Sequence, residues 1–466
     1  MEKRCDLLVV GGGPGGYTSA IRGAQRGLKT VLIEGDVLGG TCLNRGCIPT
    51  KTLLEDSLMI TATRGCCFMK GDMQVSLERI KRRKTRLIEN SRSGIAGVLK
   101  ENGIELLSGK AAFVAPKKVI IKSSDGDQEL EAERIILATG ARADYDTGLQ
   151  VDGRSIWSTE HALDPDAIPR SLAVVGAGIR GVEFSTMYNN FGTRVVLIEK
   201  EKRILPRFHA DLSDRYRSVL VKRKVRVMTR TTVLSAQPGE REVRLELETA
   251  KGPEEVRAEK VLLTGTRRPF FEGLNLKAAA LQMVEGKIPT GPGLETVVKG
   301  TYVLGDASGP PYFAHKAIVQ AIQAIDHMVG EPAPNKQLFF PSCVYGDPEV
   351  ASVGMTEEEA SQAGRKVRIG EFRFIGNGRA GSMGIEEGGA MILSDSQTGE
   401  VLGVHMIGPR VTELISLATL AMQNGIDVAG LQKTVFPHPS LSEVFFEAAL
   451  ATDGEAIHMK IKSEEV

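Results

Sequence analysis

At 466 residues the chain is too long for one ordinary hydrophobic core and matches about three domains of ~150 residues. Hydrophobic residues at 42% and charged residues at 25% give the usual globular balance, which excludes general disorder and a fibrous architecture. With 59 basic and 58 acidic side chains the formal charge is +1, so no global field draws nucleic acid or an anionic membrane.

In chain order, Cys5-Asp-Leu-Leu-Val-Val10 reads as a strand and Gly11-Gly-Gly-Pro-Gly-Gly16 as a turn. Tyr17 to Arg26 reads as a helix, and Thr30-Val-Leu-Ile-Glu34 as a strand ending in an acid. Such a unit binds an adenine dinucleotide for a physical reason. Gly11 permits the tight turn, Gly13 lets a pyrophosphate approach the backbone, Gly16 brings helix against strand, and the phosphates face the positive helix end. Glu34 can accept hydrogen bonds from both ribose hydroxyls and would repel a 2'-phosphate. The first apolar run, Leu7 to Val10, stops at Gly11, and no apolar stretch reaches the roughly 18 residues of a membrane span. The expectation is a cytoplasmic protein without membrane segments.

Next comes Gly39-Gly-Thr-Cys42-Leu-Asn-Arg-Gly-Cys47-Ile-Pro-Thr-Lys51. Residues five apart on an ideal helix have α-carbons roughly 8.7 Å apart, beyond the ~7 Å that a disulfide can bridge, so a bond between Cys42 and Cys47 needs a distorted turn. Gly39, Gly40 and Gly46 supply the freedom for one, and Pro49 is tolerated near a helix start or kink. The residues leave a redox pair, two buried thiols and half a metal site open. Against the last, Cys66-Cys67 lacks the usual zinc spacing, and we expect no metal. Six cysteines (5, 42, 47, 66, 67, 343) are too few and too uneven for a secreted disulfide framework.

Leu53 to Leu99 is densely charged at helical spacing, predicting long exposed helices, and Glu105 to Glu133 predicts short strands around Pro116 and Asp125-Gly126. Ile135-Ile-Leu-Ala-Thr139-Gly140 is a strand running into a glycine turn. Then the first device returns: Leu172-Ala-Val-Val-Gly176-Ala-Gly178-Ile-Arg-Gly181, a helix, and Val195-Val-Leu-Ile-Glu199. In both copies the acid follows the first glycine by 23 residues. Two sites imply two dinucleotides, most economically a flavin and a nicotinamide. Thr301-Tyr-Val-Leu-Gly305-Asp306 is a further strand ending in Gly-Asp. Past Pro341 the pattern is strand-rich to Met406 and then helical, which puts boundaries near 145, 268 and 338.

These motifs resemble the pyridine nucleotide-disulfide oxidoreductase family over nearly the whole chain. Further markers are Ala138-Thr-Gly140, Leu304-Gly-Asp306, Ala314-His-Lys-Ala317, Asn377-Gly-Arg-Ala380, Gly403-Val-His-Met-Ile-Gly-Pro409 and His438-Pro-Ser-Leu-Ser-Glu443. The resemblance implies an α/β chain with two Rossmann-like dinucleotide-binding domains and a C-terminal α+β dimerisation domain. Residues 1–144 would be the first part of an FAD-binding domain, 145–268 an NAD-binding domain, 269–338 the second FAD-binding part and 339–466 the dimerisation domain.

It further implies a homodimer in which a dihydrolipoyl dithiol reduces Cys42-Cys47 and the electrons pass through FAD to NAD+. The dithiol would be carried by the lipoyl domain of a 2-oxoacid dehydrogenase or glycine cleavage system. Cys42 would exchange with substrate and Cys47 would face the flavin. Lys51, Ala111, Thr139, Gly140, Asp306 and Ala314 would contact FAD, with Lys51 paired to Glu183. Ile179, Val233 and Thr266 would line the NAD site beside Gly176, Gly178 and Gly181. His438, oriented by Glu443, would act as base toward the partner subunit's disulfide. Glutathione, trypanothione and mercury reductases are alternatives on the same scaffold. Glu199 and the lack of cysteine after Cys343 speak against them, and the intact Cys42, Cys47, His438 and Glu443 against a turnover-inactive flavin scaffold. Arg45, Arg180 and Thr266-Arg-Arg-Pro-Phe270 depart from the family pattern. Each arginine either points at the redox centre or faces solvent.

Overall fold

The computed structural model describes residues 3–64, 74–124, 126–145, 147–332 and 338–459. Cys66, Cys67 and Asp125 lie outside the described residues. The first sheet runs in the order Glu105–Ser108, Thr30–Glu34, Lys3–Val10, Gln128–Leu137, Lys118–Lys122, Lys110–Ala115, with Thr301–Val303 also pairing with Gln128–Leu137. Its central strands are parallel, and Leu7, Leu8 and Val9 are fully buried, as a strand covered on both faces requires.

A second parallel sheet repeats the plan as Arg226–Met228, Arg194–Ile198, Ser171–Val175, Lys260–Leu263, Ile156–Trp157. The repeat extends to register: Val10 sits opposite Ile33 in the first sheet and Val175 opposite Ile198 in the second. An antiparallel sheet of three strands, Thr231–Pro238, Val243–Thr249 and Gly252–Ala258, packs its apolar face, with Leu245 and Leu247, into the core of the second sheet. Chain crosses between the two parallel sheets twice, and the crossings Ala141–Asp144 and Thr266–Pro269 pair as an antiparallel ribbon. The last sheet is antiparallel, ordered Ser342–Val344, Glu349–Gly354, Val401–Gly408, Gly389–Asp395, Val367–Arg373. Helices Val411–Asn424 and Glu443–Ala451 close its core.

Among the described residues the charged stretch after the cysteines forms two helices, but they differ. Leu77–Glu101 is mostly exposed, as predicted. Cys47–Arg64 instead buries Leu53, Leu54, Ser57 and Ile60, with Leu53 and Leu54 joining the core of the second unit beside Phe184 and Tyr188. The helix that begins at Cys47 therefore leaves one dinucleotide unit and anchors in the other, which holds it along the seam between them. Among the described residues no helix is long and apolar enough to cross a membrane.

Candidate functional site

The two glycine turns carry the same geometry for the same reasons. Gly11 has φ of +103° and Gly176 of +94°, a region that L side chains rarely adopt. Gly11 N–H donates to Ile33 O and Gly176 N–H to Ile198 O, both at 2.8 Å. A Cβ on Gly16 would lie 1.7 Å from Gly11 O, and one on Gly181 would lie 1.8 Å from Gly176 O, so only glycine lets each helix approach its strand. Gly178 has open space before it, and the nearest atom to a Cβ on Gly13 would be 3.9 Å away. Neither helix start is capped by a side chain. Uncapped N–H donors behind open space are what a pyrophosphate needs.

The acids match too. Glu34 accepts from Gly12 N–H (2.6 Å) and Asp36 N–H (2.7 Å), and Glu199 from Ala177 N–H (2.6 Å) and Glu201 N–H (3.0 Å). Beyond Glu199, Arg203 and Lys202 are drawn to Glu358 at 3.1 and 4.0 Å rather than presented as a phosphate seat.

Both turns open onto one cleft of about 2520 Å³, against roughly 300–1,000 Å³ for a single small-molecule site. It is lined by Glu34, Cys42, Cys47, Lys51, Ala111, Thr139, Gly140, Ile179, Glu183, Glu199, Val233, Thr266, Asp306 and Ala314. Gly16 and Gly181 lie behind it as packing positions. The space and donors fit two extended dinucleotides.

At the cleft floor, helix Gly40–Arg45 ends at Gly46 and a new helix starts at Cys47. Gly46 has φ −138° and ψ −111°, and its hydrogen faces Thr41 O, where a Cβ would come within 2.9 Å. This break is the distorted turn that the five-residue spacing demands. Pro49 falls in the first turn of the new helix, where its missing N–H costs no hydrogen bond.

Cys42 and Cys47 stand as hydrogen-bonded thiols, and the four described cysteines form no disulfide. The Cys42 thiol is pushed well up, first by its hydrogen bond to Cys47, then by burial. Cys47 is brought down to about 7, first by accepting from Cys42, with Lys51 adding attraction against the opposing effect of burial. Cys47 is exposed to the open cleft. Of the two sulfurs it is the stable thiolate.

Lys51, one helical turn on, places Nζ 2.8 Å from both carboxylate oxygens of the buried Glu183. Tyr345 completes this corner: its N–H donates to Glu183 at 3.0 Å and its ring lies 4.6 Å from Lys51 Nζ. Tyr17 rises above its usual range through burial and the nearby Cys42 and Cys47. Sequence reasoning passed over both tyrosines, since a single aromatic before Gly-Asp-Pro or after a glycine turn carries no periodic signal.

The departing residues are resolved. Arg45 pairs with Asp36 and, at 3.9 Å, with Glu160. Arg180 points inward and donates to Gly265 O at 2.9 Å. Phe270 accepts from Thr139 Oγ1 (2.6 Å), donates its N–H to Gly140 O (3.0 Å) and lies under Arg142 at 3.7 Å, so the altered crossing is fastened rather than loosened. Asp306 is raised by burial, with Arg267 at 4.0 Å opposing.

His438 and Glu443 pair Nδ1 to Oε1 at 2.7 Å, outside the cleft of their own chain. The imidazole is 79% exposed. Burial raises Glu443, but Ser440 N–H and His438 outweigh it and hold the carboxyl below its usual range. The pair is a formed dyad, and neither residue lines the cleft that holds Cys42 and Cys47. Among the described residues no group of His, Cys, Asp and Glu could hold a metal ion.

Comparison with known proteins agrees with this geometry. The family described as pyridine nucleotide-disulphide oxidoreductase matches residues 5–321, and its dimerisation domain matches residues 340–449. The dihydrolipoyl dehydrogenase of Thermus scotoductus is 38% identical over 98% of this chain and 99% of its own, and that of Bacillus subtilis is 36% identical over 98% and 100%. The crystal structure of LpdA from Mycobacterium tuberculosis superposes with a TM-score of 0.89 at 27% identity, covering 96% of this chain and 99% of that one.

Proposed function

The chain belongs to the pyridine nucleotide-disulphide oxidoreductase family, and from there we propose that it oxidises a protein-bound dihydrolipoyl dithiol with NAD+ through Cys42 and Cys47. It is an NAD-dependent flavoprotein whose cofactors are FAD and NAD. The first glycine turn with Glu34, Lys51, Ala111, Thr139, Gly140, Asp306 and Ala314 would hold FAD. The second, with Ile179, Glu183, Glu199, Val233 and Thr266, would hold NAD. Bound FAD supplies the two-electron link between the cysteine pair and NAD+.

What the chain's own residues do follows from their chemistry. His438 takes a proton from the substrate dithiol, because only a thiolate attacks a disulfide. Attack at Cys42 breaks the Cys42–Cys47 bond and releases Cys47 as thiolate, the better leaving group because its pKa is the lower. The second substrate sulfur displaces Cys42, which leaves a cyclic disulfide on the substrate and two reduced cysteines. Glu443 holds the imidazole by Nδ1 and stabilises its charge. Overall, dithiol and NAD+ give disulfide, NADH and one proton.

The observation that carries this reading is the pair of hydrogen-bonded sulfurs beside Lys51, on the floor of a cleft shared by both glycine turns. Since the His438 dyad stands outside its own cleft, the working unit is a homodimer in which His438 serves the second copy's sulfurs; the dimerisation-domain match supports it. The proposed partner is a lipoyl domain of a 2-oxoacid dehydrogenase or glycine cleavage system, and the proposed setting is the cytoplasm. We divide the chain at 144/145, 268/269 and 338/339, a reading supported by the ribbon Ala141–Asp144 and Thr266–Pro269, where both crossings run side by side. The deciding experiment is turnover of FAD-loaded protein with dihydrolipoamide, glutathione disulfide and mercuric ion, each with both nicotinamide cofactors. NADH formation from dihydrolipoamide supports the proposal, and its absence removes it.

A further inference from the structure

Arg180 occupies the second position of helix Ile179–Phe191, beside backbone donors that no side chain caps. A cation at a helix N-terminus stands against the helix dipole, which disfavours it. Here the guanidinium is turned into the cleft rather than out to water, and its one hydrogen bond goes to Gly265 O at 2.9 Å. The charges nearest it are Arg267, Glu183 and Asp306. Glu183 is already paired with Lys51 at 2.8 Å, and Asp306 lies 4.0 Å from Arg267. Among the described residues no carboxylate forms an ion pair with Arg180 itself, whose hydrogen bond is to a backbone carbonyl. Burial, with Arg267 adding repulsion, brings Arg180 down to about 10.

The first unit has nothing like it. Its helix opens with Pro14, Gly15, Gly16 and Tyr17, with no cation in the first turn. The two glycine turns are alike in backbone, so the added charge is a property of the second unit alone. A partly buried cation whose hydrogen bond goes to a neutral carbonyl, at an uncapped helix start, calls for an anion, and a guanidinium matches phosphate oxygens in geometry as well as charge. We propose that Arg180 binds the diphosphate of the nicotinamide dinucleotide, adding a side-chain clamp to the backbone seat of the second unit. This rests on the reading that NAD binds there.

The test uses FAD-loaded wild type and the variants Arg180→Ile and Arg180→Met, titrated calorimetrically with ADP-ribose and with adenosine at low and high ionic strength. ADP-ribose carries the diphosphate without the nicotinamide, and adenosine carries neither. Both variants should bind ADP-ribose about tenfold or more weakly, with a flatter salt dependence, and adenosine as wild type does. Unchanged flavin absorbance per chain and unchanged melting temperature would show an intact fold. Variants that match wild type toward ADP-ribose at both salts, or that lose adenosine to the same degree, overturn the proposal while leaving the nucleotide site standing. A wild type that binds no ADP-ribose overturns the nucleotide reading itself, and the clamp with it.

Discussion

The two dinucleotide units differ less in what they hold than in what they are attached to. Their glycine positions, strand pairings and acid–amide contacts correspond one for one. Yet the second strand of the first unit leads into Gly40–Arg45 and Cys47–Arg64, which carry both sulfurs, while that of the second leads into a short connection and the helix Ala210–Lys222. The backbone device sets which class of ligand is bound. The segment after it sets the chemistry.

The largest expected effect comes from the positions where the two devices are most alike. Gly16→Ala should cost about 2–4 kcal/mol through the clash with Gly11 O and leave the purified protein without flavin. Gly181→Ala, with the same clash against Gly176 O, should keep flavin and lose NADH binding. Flavin absorbance per chain and nucleotide titration read the two outcomes. If either change empties both sites, the units are not independent.

Next come substitutions of the chemistry that belongs to the first unit and to the dyad outside the cleft. Cys47→Ser should lower dithiol turnover by about 10³-fold or more while NADH binding at the second unit stays as it was. In the reduced protein the Cys47 thiol is protonated below pH about 7 and ionised above it, so ultraviolet thiolate absorbance should rise through that pH. A wild type silent there would contradict the assigned thiolate. His438→Gln should slow dithiol exchange by about 10²–10⁴-fold and leave flavin content unchanged. Retained exchange would dismiss its role as base. Glu199→Gln removes the carboxylate proposed to repel a 2'-phosphate and should narrow the preference for NADH over NADPH by about tenfold. The smallest effect is expected at Arg45→Leu, within about 0.5 kcal/mol in stability, since its ion-pair partners are solvent-exposed.

The parts legible in the sequence were those that a backbone requirement writes locally. Gly11, Gly13 and Gly16, their echoes at 176, 178 and 181, and the kinked spacing from Cys42 to Cys47 each follow from sterics within a few residues. What escaped depends on long-range contact. The half-burial of Cys47–Arg64 arises because Leu53 and Leu54 meet the second unit's core, which helical spacing cannot report. The direction of Arg45 and Arg180 was open for the same reason: one finds Asp36 and Glu160, the other Gly265 O, and none of these lies within a helical turn of it in sequence. Tyr345 reaches Lys51 and Glu183 from the start of the C-terminal sheet, with no motif to announce it.

The most direct measurement is the alkylation state of individual cysteines, read by mass spectrometry after anaerobic mixing of the oxidised, FAD-loaded protein with one equivalent of NADH per chain. The account predicts that Cys42 and Cys47 both become alkylatable together, having resisted alkylation beforehand, with no change at Cys5 or Cys343. NADH consumed with Cys42 and Cys47 as unreactive as before would contradict it.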